Sequence, residues 1–99
     1  MKTTSSLLFS LFLALPGLAM ADSKHQEEAQ AINQAKISLI QAVQTAESET
    51  GAKAVEVDFD RENNVWGYEV KTLEPGKKYE LFIDATTGEI ISRKEKNKQ

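Results

Sequence analysis

The hydrophobic positions of the chain change period near residue 51, from the spacing of a helix to the alternation of strands. Before this point, the apolar residues of one predicted helix face recur at i, i+3, i+4 and i+7: Leu39, Ala42, Val43 and Ala46. Ser38 and Gln41 have the spacing of a capping box, and Gly51 can adopt the left-handed conformation that ends a helix. The small alanines predict that this helix packs closely on a sheet.

After Gly51, apolar and polar residues alternate, which predicts strands at residues 54–60, 65–73, 78–84 and 89–92. The side chains predicted to face the helix are Val55, Val57, Phe59, Trp66, Tyr68, Val70, Thr72, Tyr79, Leu81 and Ile83. Gly67 lies on the opposite face, where a glycine marks a bulge or a close approach. The predicted fold is therefore α+β: one main helix packed on an antiparallel β-meander of three to four strands, with the option of an extra N-terminal helical segment.

The strongest turn signals are Pro75-Gly76 and the segment between Asp84 and Gly88. The Asp84 carboxylate can accept hydrogen bonds from backbone N–H groups of its own turn, and Gly88 can adopt a positive φ angle. We therefore interpret Asp84 and Gly88 as residues of a structural turn rather than of a ligand-contacting loop. The folded domain is predicted to span residues 37–93, and residues 94–99 are predicted to form a charged, solvated tail.

The N-terminus has the pattern of a secretory signal peptide at residues 1–21. Lys2 is followed by the apolar stretch 7–15, Pro16-Gly17 predicts a helix break, and Ala19-Met20-Ala21 is a small-x-small cleavage pattern. The apolar stretch is shorter than the roughly 20 residues that span a bilayer. A retained N-terminal anchor is the alternative. Residues 22–36 form a polar leader, predicted to be helical or disordered.

The composition narrows the class of function. The net charge of −3 comes without a basic block, which argues against nucleic-acid binding. The chain has no cysteine, so a small exported domain of this kind must be held together by its core rather than by disulfides. With one histidine and no cysteine, no nucleophile–base set is present, and we predict neither an enzyme nor catalytic, cofactor-binding or metal-binding residues.

Three groups of residues are candidates for binding chemistry. The first group is the acidic residues at outward strand positions: Glu56, Asp58, Asp60 and Glu69. Their carboxylates give an alternative function, a protein that binds a metal ion or a small ligand through this acidic face. His25 would complete an amino-terminal copper or nickel site only if cleavage followed Asp22. Trp66, Tyr68 and Tyr79 are predicted to be core rather than a binding platform.

Alternation places Phe82, Val65 and Leu73 on the sheet face opposite Trp66 and Tyr68. Unless the segment before Ile37 covers them, these three residues form an exposed apolar patch, which is typical of a partner site. They are the predicted partner face. The alternative function is self-association as a homodimer that pairs edge strands or buries the Phe82 face.

The same segments resemble the PepSY domain family from about Ile37 to Arg93. The most specific part is the pattern aromatic-x-hydrophobic-x-Ile-Asp-x-x-Thr-Gly-x-Ile, found here between Tyr79 and Ile90. The resemblance implies a non-enzymatic module of exported bacterial proteins, including the propeptides of thermolysin-like metallopeptidases, where it is associated with inhibition. No peptidase domain is attached here, so inhibition would act in trans.

Together these observations predict a periplasmic or secreted binding module without cofactors. Its expected partner is a protein of the cell envelope, for example a peptidase. The expected contact is a sheet edge or the Phe82 face. After signal cleavage no membrane span is expected. The identity of the partner does not follow from the sequence.

Overall fold

The structure, a computed structural model, describes residues 15–97, with side chains from residue 23. The chain divides into two units, Met1–Gln30 and Ala31–Gln99. Helix α1 spans Leu15–Gln34 and includes Pro16 and Gly17. The predicted break at these two residues concerns the end of the apolar stretch 7–15, most of which lies outside the described residues, and it stays a prediction. Both residues lie in the first turn of the described helix, where the missing N–H of proline costs least. The predicted signal peptide lies outside the residues with described side chains and stays a prediction.

Helix α2 spans Leu39–Thr50 and has the predicted caps at both ends. The Ser38 hydroxyl accepts a hydrogen bond from the Gln41 backbone N–H (3.1 Å), and the Gln41 side-chain oxygen accepts one from the Ser38 N–H (2.8 Å). Gly51 has φ 73° and donates its N–H to the Glu47 carbonyl at 2.7 Å. These bonds satisfy backbone groups that have no partner within the helix.

Four strands follow in a single antiparallel sheet. They are β1 (Lys53–Glu62), β2 (Val65–Glu74), β3 (Lys77–Asp84) and β4 (Ile90–Asn97), in the spatial order β1-β2-β3-β4. Asn63 and Asn64 connect β1 to β2 with φ angles of 50° and 66°, which asparagine tolerates better than most residues. The α+β meander with an N-terminal helical segment is confirmed.

The core lies between α2 and one face of the sheet, which we call the inner face; the other is the outer face. Ala42 and Ala46 are fully buried, and α2 packs on β1, β2 and β3. The remaining buried members of the core cluster are Ala52, Tyr68, Val70, Tyr79, Leu81, Ile83 and Ala85. Leu39 was predicted to share this stripe but is 41% exposed, and Ile37, just before the cap, packs against the core instead.

Two bulges shift side chains relative to simple alternation. In β1 the register shifts between Ala54 and Glu56, which leaves Val55 59% exposed while Ala54 packs against the core. The predicted inward position of Val55 is therefore wrong, because a bulge adds one residue to the strand. In β4 a second shift leaves Ile91 50% exposed.

The last strand is longer than predicted. Residues 94–97 are exposed, as expected for a charged tail, but they continue β4 and pair with β3 as far as Lys77 opposite Asn97. The tail interpretation of these residues is corrected accordingly. Backbone pairing with β3 supports the segment, although its side chains bury little surface.

Candidate interaction surfaces

Phe82 lies on the outer face, as alternation predicts, but it does not form an exposed patch. Its side chain is only 3% exposed, and it stands outside the core cluster on the inner face. A Cβ on Gly67 would come within 2.7 and 2.9 Å of the Phe82 ring, so the ring occupies the space that the glycine leaves. Val65 and Leu73 are half-buried. The predicted exposure of this apolar face is therefore corrected at Phe82.

A small pocket surrounds Phe82 on the outer face. Its volume is about 40 Å³, and it is lined by Glu62, Glu69, Glu80, Leu81, Phe82, Ser92 and Lys94. Sites for drug-sized ligands have volumes of about 300–1,000 Å³, so this pocket is far smaller than they require. The charged rim and this volume do not suit an organic ligand.

Glu80 is a largely enclosed carboxylate of this region, with its side chain 15% exposed. Lys78 lies 3.4 Å away and Lys96 3.3 Å away, measured from ammonium nitrogen to carboxylate oxygen. Burial works to raise the pKa of Glu80, but the hydrogen bonds and charges of Lys96 and Lys78 together outweigh it, and the pKa is lowered. The Glu80 carboxylate is therefore ionised in the folded protein at neutral pH.

We expect this carboxylate to make stability depend on pH. Because the folded pKa is below the unfolded value of about 4.3, the stabilisation is present above that pH and is lost as the pH falls through the folded pKa. Urea unfolding at pH 7, 5 and 3 should show the gap between wild type and Glu80→Gln shrinking with acidification. A gap that stays constant over this range would contradict the assignment.

The outer positions of the two edge strands carry opposite charges. We call Glu56, Asp58, Asp60 and Glu62 the β1 acidic row, and Lys94 and Lys96 the β4 basic row. Alternate residues of one strand lie about 7 Å apart, too far for neighbouring carboxylates of the row to share one ion easily. Within residues 15–97, no group of three or more His, Cys, Asp or Glu residues is placed to hold a metal ion.

The turn after β3 joins the sheet to the segment before α2, and we call it the junction turn (residues 84–88). Asp84 Oδ1 accepts hydrogen bonds from the Thr86 N–H (2.7 Å) and the Thr87 N–H (3.2 Å). Gly88 has φ 81° and donates its N–H to the Asp84 carbonyl at 2.9 Å. These are the bonds that a structural role of Asp84 and Gly88 requires.

The junction turn also anchors the chain before α2. The Ala85 carbonyl accepts hydrogen bonds from the N–H groups of Lys36 (3.0 Å) and Ile37 (2.9 Å). The Tyr68 hydroxyl donates to the Ile37 carbonyl at 2.8 Å. Burial raises the pKa of Tyr68, which keeps this hydroxyl protonated and able to donate. Sequence reasoning found the turn but had no signal for this anchoring.

Replacing Asp84 by alanine removes the acceptor of two backbone hydrogen bonds. We expect Asp84→Ala to lower the free energy of unfolding by about 1.5 kcal/mol, the usual effect of losing hydrogen bonds to a charged acceptor. Asp84→Asn keeps a side-chain oxygen and should lose less. Urea unfolding of the two variants measures the difference, and equal losses would argue against the hydrogen-bonding role.

Of the three aromatic residues predicted to be core, Tyr68 and Tyr79 belong to the core cluster, whereas Trp66 is half-buried and lies outside it. Tyr68 and Tyr79 are 1% and 5% exposed. Trp66 stacks on Phe59 with ring centroids 5.0 Å apart, and the Arg61 guanidinium lies 5.1 Å from the centre of the Trp66 ring. The guanidinium lies over the half-buried indole ring, and this cation–π contact stabilises the packing of Trp66.

A shallow groove of about 530 Å³ runs along α2 beside the junction turn. It is lined by Ile37, Gln41, Gln44, Thr45, Ser48, Glu49 and Gly88. Glu49 is paired with Arg93 across it at 2.7 Å. The groove is open and mostly uncharged, and the sequence pattern gave no sign of it. In the first unit, His25 is exposed on α1.

This arrangement defines a class: a small two-layer α+β module in which α2 is anchored to an antiparallel meander by a turn that begins at Asp84 and ends at Gly88. The chain belongs to the PepSY family, since the family model described as "Peptidase propeptide and YPEB domain" matches residues 36–94. Domains of this family are typically non-catalytic, propeptide-like modules, and the proteins are typically extracellular or envelope proteins. The match confirms the resemblance found in the sequence.

Among solved structures, the chain is similar in fold to a predicted lipoprotein of Clostridium difficile 630. The TM-score is 0.58 at 18% sequence identity, over 61% of this chain and 40% of that protein. The chain thus spans well under two thirds of its neighbour's length. No curated protein sequence matches the chain. Among the described residues, no helix combines the length and hydrophobicity needed to cross a bilayer.

Proposed function

We propose that this protein is an exported, non-enzymatic PepSY module that binds a protein of the bacterial cell envelope and regulates or inhibits a peptidase in trans. The observation that carries the proposal is the family match over residues 36–94, which includes α2 and nearly all of the sheet. The family is associated with peptidase propeptides and inhibitor-like modules. The signal-peptide pattern of residues 1–21 supports export to the periplasm or beyond.

The proposed contact is an edge of the sheet. Within residues 15–97, β1 and β4 each pair with a strand on one side only. A partner can add a strand there through main-chain hydrogen bonds, which require no particular side chains. Each edge strand also presents one exposed apolar side chain at its bulge, Val55 at 59% and Ile91 at 50% exposure. Phe82 is too buried to serve this purpose without rearrangement.

The proposal is tested with protein purified from the periplasm after expression of the full chain. Capture of envelope proteins and inhibition of a thermolysin-like metallopeptidase are measured for wild type, Val55→Lys and Ile91→Lys. We expect a peptidase to be captured and inhibited by wild type, and one of the two edge variants to lose both effects.

Ile40→Lys is the matched control, because Ile40 is 67% exposed on α2 rather than on a strand. It should bind and inhibit like wild type. If wild type captures no envelope protein and leaves peptidase activity unchanged, the proposed function is wrong. If Ile40→Lys alone loses binding, the partner site lies on α2 and the edge is the wrong surface.

A further inference from the structure

The two unpaired edges of the sheet have complementary charge. The β1 acidic row places four carboxylates at alternate positions on the outer face of one edge. The β4 basic row places Lys94 and Lys96 at alternate positions on the outer face of the other edge. The rows lie on the same side of the sheet and have the same two-residue period. One edge is therefore the charge complement of the other.

The direction of the strands matches as well. In the order β1-β2-β3-β4 every neighbouring pair is antiparallel, so β4 runs opposite to β1. A second copy in the same orientation, placed beside the first, would bring its β4 antiparallel to β1 of the first copy. The outer faces of both sheets would then point to the same side, and lysines would stand opposite carboxylates.

We propose that copies of this chain associate head to tail, with β4 of one copy pairing with β1 of the next. Pairing of β1 with β1 would set carboxylates against carboxylates, and pairing of β4 with β4 would set lysines against lysines; like charges directly opposite one another are destabilising in a sheet. The charges that disfavour pairing of two identical edges therefore favour pairing of β4 with β1. Such an interface is heterologous, and it does not close at a dimer unless the rotation between copies closes a ring.

The pairing depends on ionic strength, because exposed charges are screened beyond a Debye length of about 10 Å at 0.1 M salt. It also depends on pH, because protonation of the β1 acidic row removes its charge. The groups that face this row from β2 are Glu69 and Lys71, and Lys71 lies 3.6 Å from Glu56. The groups that face the β4 basic row from β3 are Lys78 and Glu80, and Glu80 is paired with Lys96.

The experiment uses sedimentation of the purified protein alone at low salt, over micromolar to millimolar concentration. The first variant, Asp58→Lys/Asp60→Lys, removes the net charge of the β1 acidic row, because two lysines then stand beside Glu56 and Glu62. The second, Lys94→Glu/Lys96→Glu, makes both edges acidic. We expect the weight-average mass of wild type to rise with concentration past that of a dimer and to return toward the monomer in 1 M salt (about one third of the Debye length at 0.1 M). Each variant alone should stay monomeric, and an equimolar mixture of the two should associate again.

The mixture keeps the proposal falsifiable if a variant is destabilised, since an unfolded variant cannot restore association. Thermal melts of each variant, and the single changes Asp58→Lys and Lys94→Glu, distinguish loss of association through unfolding from loss through the changed charge. Glu28→Lys/Glu89→Lys changes the net charge as the first variant does, but outside both edge strands, and should associate like wild type. A wild type that is monomeric at millimolar concentration, a mass that stops at the dimer, or a mixture that stays monomeric would each overturn the proposal. No peptidase is present in the assay, so its outcome is independent of the proposed function.

Discussion

Gly67→Ala is expected to lower the free energy of unfolding by about 3 kcal/mol, at the upper end of overpacking effects. A Cβ at this position would meet the Ile83 carbonyl oxygen and would stand 2.7 and 2.9 Å from two atoms of the Phe82 ring. The ring can turn, but the carbonyl oxygen belongs to the neighbouring strand of the ladder and can move only if β3 moves. Urea unfolding of wild type and variant measures the loss.

Gly76→Ala is the control for this prediction. Gly76 has φ 84° with no atom within 4 Å of an added Cβ, so its substitution costs only the left-handed conformation, about 1 kcal/mol. A second comparison places Gly67→Ala in a Phe82→Ala background. The loss of stability should then be smaller but not abolished, because the clash with the Ile83 carbonyl oxygen remains. If Gly67→Ala is no more destabilising than Gly76→Ala, the close approach of β2 and β3 side chains is not what makes this glycine necessary.

Ala46→Leu is expected to cost about 3 kcal/mol, again because a close-packed interface has no space for the added carbons. Ala46 is fully buried on the face of α2 that packs against the sheet. A shift of α2 would also disturb the hydroxyl of Thr50, which donates to the Ala46 carbonyl at 2.8 Å and lies 3.0 Å from the buried Thr72 hydroxyl. Thermal and urea unfolding would both register the change.

Gln44→Leu is the matched control, because it adds a similar side chain on the exposed face of the same helix. Leucine and glutamine differ little in helix propensity, so this variant should unfold within about 0.5 kcal/mol of wild type. If both variants are equally stable, the alanine stripe does not set the distance between α2 and the sheet.

Much of the fold follows from the sequence because local signals and the hydrophobic period agree. The capping box at Ser38, the left-handed Gly51 and the alternation of β2 and β3 each predict the element that the structure contains. The inward positions of Tyr68, Val70 and Thr72 follow from a period of two, and all three are buried.

The errors come from features that one strand does not encode by itself. A bulge is a relation between two strands, so the sequence of β1 gave no reason to place Val55 outward and Ala54 inward. The length of β4 depends on backbone pairing with β3, which charged side chains do not reveal. The predicted exposure of Phe82 is wrong because its ring fills the space beside Gly67. That space exists because Gly67, which lies on another strand, has no side chain.

The candidate interaction surfaces were harder to predict for the same reason. The Asp84 to Gly88 turn was visible as a motif, but its bonds to Lys36 and Ile37 join parts of the chain about fifty residues apart. The β1 acidic row is visible in the sequence, whereas its counterpart on β4 lies in the segment predicted to be a tail. Only the sheet order shows that the two rows occupy opposite edges of the same face.

The meander has a consequence for how the chain folds. Each strand pairs only with its neighbour in sequence, across connections of two, two and five residues, so forming the sheet requires little loop-closure entropy. Contacts of α2 and of the segment before it with the sheet span longer separations, such as the 22 residues between Thr50 and Thr72 and the 31 residues between Ile37 and Tyr68. Low contact order favours rapid folding, and we expect the hairpins to form first and α2 to dock last. Stopped-flow kinetics of Tyr68→Phe should then show faster unfolding with an almost unchanged refolding rate.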